Sequence, residues 1–112
     1  MTTPDIDIHP GEWEIVLNLL RRHVPDCEVW AFGSRARRAA KPFSDLDLAI
    51  LGSQPLTLSI QADLSEDFSE SDLPFKVDLV DWATTSDRFR NVIEGERVVL
   101  QRPGERPFPS LI

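Results

Sequence analysis

The strongest constraint on the fold is a central segment that alternates acidic and apolar residues. Residues 45–51 read Asp-Leu-Asp-Leu-Ala-Ile-Leu. Successive side chains of a β-strand point to opposite faces, so Leu46, Leu48 and Ile50 share one face. Asp45 and Asp47 share the other. The pattern predicts a half-buried strand that carries two neighbouring carboxylates.

Helical and extended segments alternate around this strand. The predicted helices are 13–24, a turn or two within 35–41, 57–68, and a last one capped by Thr85 or Ser86 and ending near Gly95; the strands are 27–32, 45–51, 75–80 and 97–100. An order of α-β-α-β-α-β-α-β indicates an α/β or α+β fold, with helices packed on one small sheet. Antiparallel pairing of neighbouring strands would make that sheet mixed, and the sequence does not give the strand order.

The length of the chain indicates one domain, and its last residues differ in composition from the rest. At 112 residues the chain has the size of a single compact unit. We expect that domain to span 1–102, followed by a proline-rich tail, 103–112, that contains Pro103, Pro107 and Pro109.

The net charge and the cysteine content limit the cellular compartments and the binding partners that suit this chain. Twelve basic against nineteen acidic residues give a net charge of -7, which argues against broad binding to nucleic acid or to anionic membranes. Cys27 is the single cysteine, which excludes an internal disulfide and a multi-cysteine zinc site. With no apolar run of about 20 residues and no signal-like N-terminus, we expect a cytoplasmic protein without membrane or direct nucleic-acid binding.

A second chemically informative segment lies upstream, where Phe32-Gly33-Ser34 runs into the basic residues Arg35, Arg37 and Arg38. Glycine and serine at a strand end can offer backbone N–H groups and a hydroxyl to phosphate, and arginines add charge. Two carboxylates on one strand face can bind a hard cation, for which Mg²⁺ is the natural candidate. Taken separately, the acids could form a solvated sheet edge and the arginines a solvated loop.

Together the two segments resemble a known family. Gly33-Ser34, ten intervening residues and Asp45-Leu46-Asp47 are similar to the GS-x10-DxD signature of the polymerase-β-like nucleotidyltransferases. The chain's size and the Gly-Ser-Arg-Ala-Arg run resemble the minimal nucleotidyltransferases, small antitoxins often paired with HEPN-domain toxins. The resemblance implies the polymerase-β-like palm fold.

The resemblance also implies roles for individual residues. Gly33 and Ser34 would hold the terminal phosphates of ATP, with Arg35 and Arg37 as further phosphate contacts. Asp45 and Asp47 would coordinate Mg²⁺. A third metal-binding or catalytic carboxylate would come from a neighbouring strand; Asp78 is preferred because it alternates with apolar neighbours, and Asp81 is the alternative.

One position departs from the family pattern. Small members commonly have glycine after Arg-Ala-Arg, where this chain has Arg38. An arginine is tolerated there if the backbone is helical and is costly if φ must be positive.

The resemblance implies a metal-dependent transferase that moves AMP from ATP to a hydroxyl of a HEPN toxin and so acts as an antitoxin. Separately, a small chain with helices and an apolar tail is expected to self-associate or to form a complex with its toxin. The alternative is an inactive binding module that masks its partner, through the tail or through an acidic face that comprises Asp63, Glu66, Asp67, Glu70 and Asp72. A transferase acting on RNA ends or on an aminoglycoside is less favoured, because the chain is short and acidic.

Overall fold

The predicted alternation of helices and strands is present in the computed structural model, which describes residues 3–103. The predicted tail therefore lies almost entirely outside the described residues. The elements are α1 (Pro10–His23), β1 (Glu28–Phe32), α2 (Gly33–Ala36), β2 (Leu46–Leu51), α3 (Leu58–Ser69), β3 (Val77–Asp81), a 3-10 turn (Trp82–Thr84), α4 (Asp87–Glu96) and β4 (Val98–Gln101).

The four strands form one mixed sheet in the order β3-β2-β1-β4. β1 runs antiparallel to both β2 and β4. β2 and β3 are parallel, because α3 carries the chain back to the starting end of the sheet, as parallel pairing requires. The expected mixed α/β sheet is confirmed, and the site-bearing strand β2 lies inside it.

Helices cover both faces of the sheet. On one face, a single apolar cluster joins α1 and α3 to the buried residues Leu46, Leu48 and Ile50 of β2. On the other face, Ile93 of α4 packs with Trp30, Phe32 and Ala49. The alternation in β2 thus divides its side chains between the two layers, as the sequence pattern predicts.

The basic segment after β1 differs from the prediction. Instead of one or two helical turns within 35–41, α2 is a single turn that begins earlier, at Gly33. It cannot continue, because Arg38 has a φ of 60°, in the left-handed region. The 3-10 turn after β3 was not predicted; the Asp81 side chain caps it by accepting from the Ala83 amide.

Arg38 holds this left-handed backbone through its side chain. Its Nη1 donates to the Ile6 carbonyl at 2.7 Å. Its guanidinium also lies 3.4 Å from a carboxylate oxygen of Asp7 and 3.8 Å from one of Asp5. These contacts with the N-terminal segment offset the cost of a non-glycine residue at positive φ.

We expect Arg38→Ala to lower the free energy of unfolding by about 1–2 kcal/mol, because the side-chain contacts are lost and the left-handed backbone remains. Arg38→Gly loses the same contacts but removes the steric cost at positive φ, so it should be about 1 kcal/mol more stable than the alanine variant. Urea unfolding of the two variants measures the difference. Equal stabilities would contradict the account of strain at this position.

Candidate active site

The acidic residues of β2 and β3 meet at one end of the sheet. In the parallel register, Asp47 of β2 lies directly opposite Asp78 of β3. Asp45 precedes β2 and interacts with both carboxyl groups. Asp47 is half-buried, whereas Asp45 and Asp78 are exposed. The structure therefore brings the three sequence-predicted acids together.

Asp81, the alternative third acid, lies elsewhere. It is opposite Ile50 in the register and is buried, at 8% exposure. Its carboxylate accepts hydrogen bonds from the backbone amides of Leu56, at 2.9 Å, and Ala83, at 3.2 Å. These bonds give Asp81 a structural role, and they leave Asp78 as the acid beside Asp47.

The crowded carboxylates alter one another's protonation. Burial, together with the negative charges of Asp78, Asp45 and Glu96, raises the pKa of Asp47 to about 6. Burial, followed by hydrogen bonding to Asp45 and by its charge, also raises the pKa of Asp78, with Lys76 acting in the opposite direction. Like charges at this spacing disfavour the fully ionised state, so a cation would relieve the repulsion.

The three carboxylates are better suited to a metal ion that a bound substrate also coordinates than to one held by protein ligands alone. Within residues 3–103, no group of three or more His, Cys, Asp or Glu side chains is arranged to hold a metal by itself. Mg²⁺ in nucleotide enzymes is commonly held by one or two carboxylates, with the remaining positions filled by phosphate oxygens and water. Asp45 and Asp47 supply oxygen donors of that kind.

Gly33 is pressed against Asp47 at the junction of β1 and α2. Its φ is +79°, and a Cβ built there would clash with Oδ2 of Asp47 and lie 3.2 Å from its Cγ. Any side chain would therefore be strained and would displace the carboxylate. Phe32, the preceding residue, pairs with Asp47 across the antiparallel register, which explains the proximity.

The remaining sequence-predicted phosphate contacts separate into two groups. Ser34, which immediately follows Gly33, is half-buried, and Arg37, four residues after Gly33, is exposed. Arg35, by contrast, is only 5% exposed. Its guanidinium donates to the carbonyls of Ser44, Asp7 and Pro42 at 2.7–3.1 Å and lies 3.9 Å from the centroid of the Phe75 ring.

The buried position of Arg35 does not fit the predicted contact with phosphate. The guanidinium joins the N-terminal segment to the loop before β2, and its donors point at backbone carbonyls. Sequence reasoning missed this role because a buried and an exposed arginine look alike in a basic run.

Glu96, which the sequence analysis did not single out, also belongs to the site. It is the last residue of α4. Its Oε1 accepts a hydrogen bond from the Gly33 amide at 3.0 Å, and its Oε2 lies 3.5 Å from Nε of Arg37. A separation of 63 residues from Gly33 left no local signal for this contact.

Comparisons with known proteins agree with this geometry. Residues 16–105 match the family model described as Polymerase beta, Nucleotidyltransferase. A 53% identical relative over 96 residues, covering 86% of this chain and 84% of its own, is the Probable protein adenylyltransferase MntA of Haemophilus influenzae. This chain belongs to the polymerase β nucleotidyltransferase family. The family resemblance seen in the sequence is thereby confirmed.

Solved structures show the same fold. A crystal structure of a toxin-antitoxin with AMP-PNP has a TM-score of 0.69 and 25% identity, over 80% of this chain and 73% of that one. A complex of a tri-AMPylated HEPN toxin with an MNT antitoxin, from Shewanella oneidensis, has a TM-score of 0.63 and 24% identity, over 80% and 69%. The predicted nucleotidyltransferase fold is confirmed.

A cavity of about 600 Å³ opens beside the acids of this nucleotidyltransferase. Its lining includes Asp45, Asp78, Lys76 and Phe43, a residue that is 76% exposed. None of the helices described between residues 3 and 103 has the length and apolar character needed to cross a membrane.

Gly33→Ala should damage both the fold and the site of this nucleotidyltransferase. The added methyl group meets the Asp47 carboxylate and the residue must keep a positive φ, so we expect a loss of at least about 1 kcal/mol in unfolding free energy. Nucleotidyl transfer should fall as well. Thermal unfolding and an activity assay measure the two effects; Gly95→Ala, where a Cβ meets nothing within 4 Å, is the control.

The metal-free protein should lose stability as the pH rises from about 4 to about 6. The raised pKa of Asp47 means that the folded state holds this proton more tightly than the unfolded state, so the advantage is complete at low pH and is lost as Asp47 ionises. Asp47→Asn should therefore stabilise the metal-free chain at pH 7–8. Denaturant unfolding in EDTA measures this. A destabilised variant at pH 7–8 would contradict the predicted repulsion.

Proposed function

We propose that this chain is a metal-dependent protein adenylyltransferase that transfers AMP from ATP to a hydroxyl of a HEPN-type toxin and thereby acts as an antitoxin. The observation that carries the proposal is the register pair Asp47 and Asp78, with the backbone of Gly33 packed against the Asp47 carboxylate. The 53% identity to the relative named MntA supports the reaction class.

The nucleotide side of the proposed site is the turn after β1. The backbone N–H of Gly33, the Ser34 hydroxyl and the exposed Arg37 are the groups that would bind the terminal phosphates. Arg35 is left out of this set, since its guanidinium is held by three carbonyls. Its proposed role is to keep the loop that leads to Asp45 in place.

The carboxylates form the metal side of the site. Asp45 and Asp47 would hold Mg²⁺, which would neutralise charge on the triphosphate and on the departing pyrophosphate. In the transfer, the acceptor oxygen forms a bond to the α-phosphorus as the bond between that phosphorus and the bridging oxygen breaks. Pyrophosphate leaves with the electron pair of the broken bond.

Asp78 would serve the acceptor side. It is exposed, it lies on β3 at the edge of the sheet, and it borders the cavity of about 600 Å³. Asp78, unlike Asp47, lines this cavity, so it is placed to accept the proton of a hydroxyl that enters there or to join the metal ligands. The cavity gives a protein side chain room to approach.

The proposal also covers the setting of the reaction. A catalytic domain of residues 1–102 would act in the cytoplasm, where the single Cys27 stays reduced. The chain would work in a complex with its toxin.

Masking of the toxin without chemistry is the second candidate. The observation in its favour is the acidic surface of α3, where Asp63, Glu66 and Glu70 are exposed. A surface of this charge attracts a basic partner by electrostatics alone. Masking and transfer are separable, because one needs α3 and the other needs the acids of β2 and β3.

Label transfer from α-phosphate-labelled ATP to the cognate HEPN toxin tests the proposal. Asp47→Asn should lower Mg²⁺-dependent transfer by about a hundredfold or more, because one ligand of the charge-neutralising cation is lost. The variant should still bind the toxin. Asp26→Asn, the same change at an exposed aspartate in the turn before β1, should transfer like the unaltered chain.

Neutralisation of the toxin decides between the two candidates. If Asp47→Asn binds the toxin but no longer neutralises it, transfer is the function. If the variant neutralises the toxin fully without transfer, masking replaces the proposal. The same holds if the unaltered chain forms a stable complex with the toxin but transfers no label.

A further inference from the structure

One carboxylate, that of Glu96, contacts two of the three groups proposed to bind phosphate. Glu96 accepts from the Gly33 amide through Oε1, at 3.0 Å, and faces the Arg37 guanidinium through Oε2, at 3.5 Å. Two oxygens of one anion that meet a backbone N–H and a guanidinium reproduce the way in which a phosphate group is usually held. The Glu96 carboxylate thus stands where phosphate oxygens would be expected.

The charge at this position is unfavourable for the neighbouring acids. Glu96 is one of the negative charges that raise the pKa of Asp47. Its charge adds to those of Asp45 and Asp78 at the same end of the sheet. A triphosphate that entered with Glu96 in place would meet four carboxylates, and it would find the Gly33 amide already bonded.

The Glu96 side chain is free to rotate away from the Gly33 amide and from Arg37. It is the final residue of α4, and the following residue, Arg97, has an extended backbone. Its side chain is 25% exposed, so a rotation about its own bonds can carry the carboxylate to solvent without movement of the helix. The neighbouring Gly95 has open space where a Cβ would be.

We propose that Glu96 is a positioning residue that holds the Gly33 amide and Arg37 in the nucleotide-free protein and is displaced by the phosphates when ATP binds. The inference rests on the proposed function, in which those two groups contact ATP. Glu96 keeps the turn after β1 ordered before substrate arrives. It also competes with the substrate, so it sets the affinity for ATP.

A purely structural tie between α4 and α2 is the rival explanation of the same contacts. It predicts that loss of Glu96 weakens the fold and either weakens ATP binding or leaves it unchanged. Displacement predicts the opposite sign, because removal of the competing charge makes ATP bind more tightly. The sign of the change in ATP affinity separates the two.

Glu96→Gln is the informative variant, because glutamine keeps the oxygen that faces Gly33 and removes the charge. We expect it to bind ATP with Mg²⁺ roughly three- to tenfold more tightly by calorimetry, the effect of one close like charge removed. In toxin labelling, KM for ATP should fall while kcat changes little. Glu94→Gln, the same charge change at an exposed position of α4, should match the unaltered chain.

A nuclear magnetic resonance measurement on the unaltered chain covers the case in which the variant folds poorly. The Gly33 amide and the Glu96 side-chain carboxyl carbon should both shift when ATP and Mg²⁺ are added, because their hydrogen bond is broken. A Glu96 carboxyl signal that stays unchanged at saturating ATP would overturn displacement.

The possible results distinguish this inference from the proposed function. If the unaltered chain binds and transfers AMP, but Glu96→Gln binds ATP no more tightly than Glu94→Gln, only the role of Glu96 is wrong. If the unaltered chain binds no ATP, the proposed function fails, and the inference falls with it.

Discussion

The contact between the Gly33 backbone and the Asp47 carboxylate is the constraint on which the rest of the site depends. It exists because β1 and β2 are antiparallel neighbours that place Phe32 opposite Asp47, and because glycine alone allows the chain to turn there at positive φ. Apolar packing on both faces holds those strands. The register between β1 and β2 thus determines where the Asp47 carboxylate lies.

The site combines this geometry with electrostatic repulsion. Asp45 from the loop before β2, Asp78 of β3 and Glu96 at the end of α4 act with burial to raise the pKa of Asp47. The crowding costs stability whenever all four carboxylates are ionised. Such a cost is typical of sites built for a charged substrate or metal, since the partner that relieves the repulsion is the one bound. Arg38 carries a second local cost in stability, because its backbone is left-handed. Its side-chain contacts with the N-terminal segment offset that cost.

Local patterns were sufficient to predict the four strands, the three longer helices, the mixed sheet and the three acids that the structure brings together, but not the start of α2 at Gly33. Asp78 was preferred to Asp81 because it alternates with apolar neighbours within its strand, and the register places Asp78 opposite Asp47. Contacts between distant segments were not predictable. The burial of Arg35 depends on carbonyls of residues 7, 42 and 44, and the place of Glu96 depends on how α4 docks. The strand order also follows from packing that no short motif encodes.

The position of β3 at the edge of the sheet has a consequence for the size of the acceptor. In an enzyme whose catalytic groups lie at the bottom of a deep cleft, a substrate must be small, or must be an extended chain threaded into the cleft. Here Asp78 lies at the rim of the molecule and faces solvent. In the proposed reaction, a folded macromolecule can therefore present one side chain to Asp78 by surface docking.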